Sequence, residues 1–176
     1  MTAFQVETRI PHPLSDVYTA YRDQLPELGK YIPNVKSIEV VERKEEGNTV
    51  KLLNRWRAKA EVPGPLKSMI TEDKLSWMDH ATWNDERKHC AWSLEITAFK
   101  DAVTCRGETR FYDEGAHTRM VIAGDLQVDA TKTGLPVPRL LAGSIGKAVE
   151  TFAVALIKPN QEEVGRALGK FLSAKK

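Results

Sequence analysis

Apolar and polar residues alternate along most of the chain, and this pattern predicts a β-sheet. From Phe4 to Ile10 the alternation has the two-residue period of a strand with one buried face. Short polar connectors separate the later patterns, as an antiparallel meander requires. We therefore predict one strand followed by a six-stranded meander. The later strands are predicted at residues 35–43, 49–58, 74–83, 88–96, 103–112 and 118–129.

A helical period replaces the alternation in three places. Short helical patterns at residues 14–21 and 25–31 follow the first strand. A longer pattern runs from residue 136 to about residue 158, which is a helix of about 35 Å, long enough to cross a whole sheet. We predict that this helix covers the apolar face of the sheet and that Pro159 kinks it near Lys158. Its apolar stripe consists of Leu140, Leu141, Ser144, Ile145, Ala148, Val149, Phe152, Ala153 and Leu156.

The strand alternation also predicts which side chains point toward this helix. One face of the sheet is apolar with a few polar residues, and the other face carries most of the charges. Parity places His80 and His89 on the charged outer face. The predicted inner set includes Leu52, Asn54, Trp56, Trp77, Asp79, Trp92, Thr109, Phe111, Met120 and Ile122.

Composition narrows the class of protein. The 176 residues fit one domain, 1–176, with a sizeable core. A net charge of +2 with interleaved signs does not indicate a nucleic-acid partner. Cys90 and Cys105 lack the spacing of a zinc site or a disulfide framework, and nothing indicates a cofactor. We find no signal-peptide pattern and no run of about 18 apolar residues, so we expect a cytoplasmic protein without a transmembrane segment.

The order of these elements resembles that of the START-like or SRPBCC superfamily, which has the helix-grip fold. Residues 4–18, FQVETRIPHPLSDVY, resemble the opening of that family, in which a strand runs through a proline-containing turn into a short helix. Residues 28–35, LGKYIPNV, resemble the segment that leads into its second strand. The superfamily includes polyketide cyclases, lipid-transfer domains and birch-pollen-allergen-like proteins. The resemblance implies an α+β fold in which a curved antiparallel sheet wraps around a long C-terminal helix, with two short N-terminal helices.

The resemblance further implies a cavity between the sheet and the long helix that binds a hydrophobic small molecule or lipid. Small residues in the helix, such as Gly143, either leave space or allow close approach to the sheet. The residues alone therefore leave a cavity and a close-packed interior equally open. If a cavity exists, the helix is expected to line it with Leu141, Ile145, Val149 and Phe152.

Three polar residues on the predicted inner face, Asn54, Asp79 and Thr109, would be costly to bury without partners. Asn54 is the best candidate to contact a polar group of a ligand, although it could instead bond to neighbouring backbone. Asp79 is the one candidate for proton transfer if burial raises its pKa, yet no His or second carboxylate is fixed to it by spacing. We find no nucleophile motif, metal cluster or phosphate-binding loop.

The sequence therefore predicts a protein that binds or carries a hydrophobic small molecule or lipid. One alternative is an enzyme of the polyketide cyclase or dehydratase kind, in which Asp79 or a water held by Asn54 transfers protons. The other is a protein-interaction module that uses the sheet surface. A buried carboxylate would favour the enzyme, and an uninterrupted apolar lining would favour the carrier. We also hypothesise a flap at residues 63–70 over the cavity mouth. The pattern leaves the oligomeric state open.

Overall fold

The computed structural model describes residues 1–135 and 138–175. Its strands are β1 (Thr2–Ile10), β2 (Val35–Glu46), β3 (Thr49–Ala58), β4 (Ser76–Asn84), β5 (His89–Ile96), β6 (Val103–Glu114) and β7 (His117–Val128). They form one curved antiparallel sheet in the order β1-β7-β6-β5-β4-β3-β2, so β1 and β2 lie at its two edges. The predicted strand bounds differ from these by no more than three residues.

The helices lie where the sequence pattern predicts them. The short helices α1 (Leu14–Asp23) and α2 (Leu25–Leu28) follow β1, and the 3-10 turn Gly29–Tyr31 leads toward β2. The long helix α3 (Ala142–Ala174) packs against β1, β7 and α1. This arrangement confirms the predicted α+β helix-grip fold.

The alternation of burial along the strands confirms the predicted parity. In β3, Leu52, Asn54 and Trp56 are buried, whereas Lys51 and Arg57 are exposed. The same alternation in β4 to β7 directs the apolar face of the sheet toward the helices. Apolar side chains of the sheet, α1 and α3 therefore form one core.

The start of the long helix differs from its prediction. Positions 136 and 137 lie outside the described residues, and α3 begins only at Ala142. Leu140 and Leu141 belong to a 3-10 turn before it and are 96% and 53% exposed, so they do not cover the sheet. Ile145 is half-buried, and full burial begins at Val149. The predicted stripe was wrong at its first turn because helical periodicity does not show where the sheet beneath it ends.

Pro159 does not end the helix, which continues unbroken from Ala142 to Ala174. Proline lacks the N–H that would close the preceding turn. The neighbouring Asn160 is buried, and its Nδ2 donates a hydrogen bond to the carbonyl oxygen of Leu156 at 2.8 Å. This bond lies one residue after the carbonyl of Ala155, which is the acceptor that Pro159 leaves without a helical donor.

Within the described residues, the segment Arg139–Ala174 is long and apolar enough to cross a membrane by length and composition. The mean hydropathy of its most apolar window is 1.6. This result was not expected from the sequence pattern. Core helices of soluble proteins meet the same criterion, and here the helix packs on the sheet, so the absence of a transmembrane segment stays a prediction.

Candidate functional site

A small, mostly apolar pocket with three polar residues in its lining lies in the interior, between the inner face of the sheet and the helices. Its volume is about 10 Å³, enough for about one water molecule. The sheet forms its floor, and residues of α1, α2 and α3 form its roof. The lining residues are Tyr21, Leu25, Asn54, Trp56, Trp77, Asp79, Ala81, Trp83, Cys90, Trp92, Leu94 and Gln161.

Strand register places Asp79 of β4 in the floor of the pocket. It lies opposite Asn54 of β3 on one side and Leu94 of β5 on the other. Two residues further along both strands, toward the β3–β4 connection, Trp56 pairs with Trp77 and forms the next cross-strand row of inward-facing side chains. The row on the other side contains Ala81 and Trp92. A single carboxyl group is therefore held between rows of tryptophan, beside one small side chain, Ala81.

The surroundings of Asp79 raise its pKa from 3.8 to about 6. Desolvation is the largest cause, although part of the residue's surface remains accessible where it lines the pocket. The Nδ2 of Asn54 donates a hydrogen bond to Oδ2 of Asp79 at 3.2 Å and opposes the shift. The Nε1–H of Trp56 lies near enough to lower the pKa as well, but not with the geometry of a well-formed hydrogen bond.

The residues around this carboxyl group remain neutral near pH 7. Burial raises the pKa of Tyr21 and of the Cys90 thiol well above their usual values, and the charge of Asp79 adds to both shifts. The lining, all of it within the described residues, contains no Lys or Arg. Asp79 is thus a half-buried acid without a Lys or Arg in the lining of its pocket. Such a position favours a functional role.

Unpaired polar atoms concentrate at the same place. Six buried side-chain nitrogen or oxygen atoms lack a hydrogen-bond partner within the described residues, and five of them belong to residues that line this pocket. Each such atom costs about 1–3 kcal/mol when it is desolvated without compensation. The five are Asn54 Oδ1, Trp56 Nε1, Trp77 Nε1, Trp83 Nε1 and Gln161 Oε1.

Aromatic rings form most of the pocket wall. The rings of Trp56 and Trp77 stack with their centroids 5.3 Å apart. Tyr21 of α1 packs on Trp83 with a centroid separation of 5.1 Å, so the helix and the sheet close the pocket through these rings. Trp92 completes the wall and donates from Nε1 to Oγ1 of Thr109 at 3.2 Å.

Two glycines make room for Trp92. Gly107 of β6 and Gly124 of β7 face each other in the ladder. A Cβ atom built on either residue would lie 2.5 Å from an atom of the Trp92 ring. The ring therefore lies over bare backbone, with Phe4 stacked on it at a centroid distance of 6.2 Å. The local sequence thus accommodates a large aromatic wall within a continuous sheet.

The structure brings only part of the predicted site together. Asn54, Trp56, Trp77, Asp79 and Trp92 line the pocket. Other predicted residues lie in the close-packed core: Leu52, Thr109, Phe111, Met120, Ile122, Val149 and Phe152. The remaining two predicted ligand-binding residues lie near the start of the long helix: Leu141 is largely exposed and Ile145 is half-buried.

Several lining residues were not predicted from the sequence. Strand alternation predicts that Ala81, Trp83, Cys90 and Leu94 point inward, but they were not among the predicted ligand-binding residues. The helices contribute Tyr21, Leu25 and Gln161. The helical patterns at residues 14–21 and 25–31 predicted the helices that carry Tyr21 and Leu25, whereas Gln161 lies beyond the long helical pattern, which was predicted to end near residue 158.

The outer face contains the two histidines, as parity predicted. His80 is exposed, and Nε2 of His89 lies 2.9 Å from Oε2 of Glu108. Within residues 1–135 and 138–175, no group of three His, Cys, Asp or Glu side chains could hold a metal ion.

Comparison with known proteins gives the family. A family model described as a protein of unknown function (DUF2505) matches residues 5–157, which is most of the chain. The chain belongs to this family. A comparison of this DUF2505 chain with curated proteins gave no match.

Solved structures confirm that the DUF2505 chain has a START-like fold. TTHA0849 from Thermus thermophilus is 24% identical, with a TM-score of 0.67 over 99% of both chains. The ZhuI aromatase/cyclase from Streptomyces sp. R1128 is 16% identical, with a TM-score of 0.67 over 99% of this chain and 96% of its own. Norcoclaurine synthase from Thalictrum flavum, in complex with dopamine and hydroxybenzaldehyde, is 12% identical, with a TM-score of 0.58 over 99% of this chain and 88% of its own.

Proposed function

We propose that this protein binds a small, partly apolar molecule in the pocket around Asp79, and that Asn54 and Asp79 hold a polar group of that molecule. The observation that carries the proposal is that five of the six unpaired buried polar atoms of the described residues belong to residues that line the same pocket as Asp79. We further propose that residues 1–176 act as one ligand-binding domain in the cytoplasm. The free, buried state of Cys90 and Cys105 is consistent with a reducing compartment.

The pocket chemistry supports a binding role over a structural one. A core optimised for stability would place apolar groups at positions 54, 79 and 161, because unpaired buried polar groups are destabilising. A ligand with a polar group and an aromatic or aliphatic body would pair these groups and pack against the indole rings. Known ligand sites have this composition, mostly apolar walls with a few placed polar groups.

We propose that the pocket enlarges through the connection between β3 and β4, the region of the predicted flap. This connection spans residues 59–75, so it begins three residues after Trp56 and ends two residues before Trp77. Leu66 and Ile70 anchor it in the core, and α3 packs on its turn Gly64–Leu66. Slower hydrogen exchange across residues 63–70 after ligand addition would support this route, and unchanged exchange would oppose it.

Filling the pocket tests the binding proposal. Ala81 is buried and lines the pocket beside Asp79, so Ala81→Leu should occupy the space that a ligand needs. We expect this variant to weaken the binding of a neutral aromatic probe, 2-naphthol, at least tenfold. Tryptophan emission reports binding because four tryptophans line the pocket.

The control is Ala91→Leu on the neighbouring strand, where residue 91 is exposed on the outer face and should leave the affinity unchanged. If Ala81→Leu does not fold, Ala81→Val, which adds a smaller side chain, can be used for the same test. Equal affinity of the Ala81 and Ala91 variants, or no binding by the wild type, would refute the proposal. Native mass spectrometry of freshly purified protein would show whether a small molecule or a lipid co-purifies.

An enzymatic role is the second candidate, and the raised pKa of Asp79 favours it. A carboxylate that titrates at about pH 6 inside a nearly dry pocket can accept a proton at neutral pH. The ZhuI structure is that of an aromatase/cyclase, so this fold is compatible with such chemistry.

Proton exchange at carbon tests this role without a known substrate. The wild type should catalyse exchange of the α-protons of phenylacetone in D₂O, with a rate that falls as pH decreases through about 6, because Asp79 must be ionised to accept the proton. Asp79→Asn should abolish the catalysed exchange, and His80→Gln on the outer face should not. Exchange no faster than in buffer, while 2-naphthol still binds, would favour a carrier.

A further inference from the structure

We propose that the polar group recognised by this pocket is a protonated amine, so that the ligand is an organic cation with an apolar body. This inference rests on the proposed binding function and assigns the chemistry of its ligand. Three features of the site carry it: an acid without a Lys or Arg partner in the lining, unpaired acceptor atoms on two other lining residues, and walls of aromatic rings.

The carboxylate of Asp79 disfavours anionic ligands and favours cationic ones. Asp79 has no Lys or Arg beside it among the described lining residues, and the carboxylate repels an anionic ligand group. A neutral ligand would leave the carboxylate without a counter-charge in a site of low polarity. A cation would supply that charge where water cannot, and close opposite charges interact more strongly when they are shielded from solvent.

The acceptor atoms match the donors of an ammonium group. An alkylammonium has three N–H donors and no acceptor. Asp79, Asn54 and Gln161 all line the pocket, and Oδ1 of Asn54 and Oε1 of Gln161 are buried without a donor within the described residues. The Nδ2 of Asn54 donates to Oδ2 of Asp79, so the unpaired Oδ1 belongs to the amide group that contacts the acid. A hydroxyl group brings only one donor and would leave two of these acceptors unpaired.

The walls favour a cation as well. Trp56, Trp77, Trp83, Trp92 and Tyr21 all line the pocket. The face of an aromatic ring attracts a cation, most strongly for tryptophan, and the attraction increases when water is excluded. The unpaired indole N–H donors do not discriminate between cationic and neutral ligands, because water or an oxygen atom of either ligand can accept from them.

Matched probes test the inference. We would measure binding of 2-phenylethylamine, 2-phenylethanol and 3-phenylpropionate, which share a phenyl ring on a short chain, by calorimetry and tryptophan emission. We expect the amine to bind at least tenfold more tightly than the alcohol and the carboxylate to bind most weakly. In Asp79→Asn the ratio of amine to alcohol affinity should fall to near one.

The pH dependence provides a second readout. Amine affinity should fall as pH decreases through about 6, because protonated Asp79 no longer supplies a charge, whereas the alcohol should show little change. Tyr21 of α1 and Cys90 of β5 also face this carboxyl group, and their raised pKa values keep both neutral across this range. His80 adjoins Asp79 in the chain and points outward, and its charge is the smallest of the causes that lower the pKa of Asp79. His80→Gln should therefore keep the pH dependence, with its midpoint moved slightly upward.

The outcomes separate the two proposals. If the alcohol binds as tightly as the amine, the ligand is neutral and the amine inference fails alone. The same conclusion follows if 2-naphthol binds and Ala81→Leu weakens its binding, while the amine does not bind. If neither 2-naphthol nor any phenyl probe binds, the binding function itself is wrong. An amine preference that persists in Asp79→Asn would also overturn the inference.

Discussion

Asp79→Asn is expected to raise the free energy of unfolding by about 2–3 kcal/mol above pH 7, although it removes the central polar group of the pocket. The pKa of Asp79 rises from 3.8 to about 6 on folding, and each pKa unit corresponds to about 1.4 kcal/mol. Between these values the folded protein binds more protons than the unfolded chain. Its stability therefore decreases as pH rises through this window, and the full penalty is present above about pH 6.

Chemical denaturation of the wild type and the variant at pH 4 and pH 8 measures this effect. The gain should be large at pH 8 and should nearly vanish at pH 4, because the wild-type carboxyl group is then neutral in the folded state. Asp125→Asn on the outer face is the matched control and should show no comparable gain. If the variant is less stable than the wild type at pH 8, the ionised carboxylate of Asp79 stabilises the fold and the prediction is wrong.

Val149→Asp is expected to reduce the free energy of unfolding by more than about 4 kcal/mol, enough to unfold much of a marginally stable domain. Val149 is fully buried in α3 and belongs to the common core. The change removes apolar burial and places an unpaired charge in the interior, and the two costs add. Thermal unfolding followed by circular dichroism would measure the loss.

Leu140→Asp is the control on the same segment. This residue is 96% exposed in the turn before α3, and substitutions at exposed positions change stability by about 0.5 kcal/mol or less. A similar melting temperature for Val149→Asp and the wild type would contradict the packing of α3 on the sheet. A large loss for Leu140→Asp would show that this turn is covered in solution.

The fold could be predicted from the sequence because strand alternation is a local property. The two-residue period of the strand patterns predicted that Asn54, Trp56 and Asp79 point inward. In the structure Asn54 and Trp56 are buried and Asp79 is half-buried. Helix ends were harder to predict. The helical pattern that includes Leu140 continues for about one turn beyond the sheet. The spacing of apolar residues in the helix does not show where the sheet beneath it ends.

The candidate site was only partly accessible to such reasoning. Parity showed that Asp79 faces inward, but the raised pKa depends on what surrounds it, and Tyr21 and Gln161 come from positions distant in the chain. The sequence also left open whether the interior is hollow or packed. Packing depends on how the large rings of Trp56 and Trp77 stack, and no one-dimensional pattern specifies that contact.

The small volume of the pocket has a kinetic consequence. A space for about one water cannot admit a phenyl ring. The proposed binding of an aromatic ligand therefore requires a conformation in which the rings of the pocket separate. The measured affinity is then the intrinsic affinity multiplied by the population of that conformation. Association rates should level off at high ligand concentration, at the rate at which the pocket opens, and the same slow step should prolong the residence of a bound molecule.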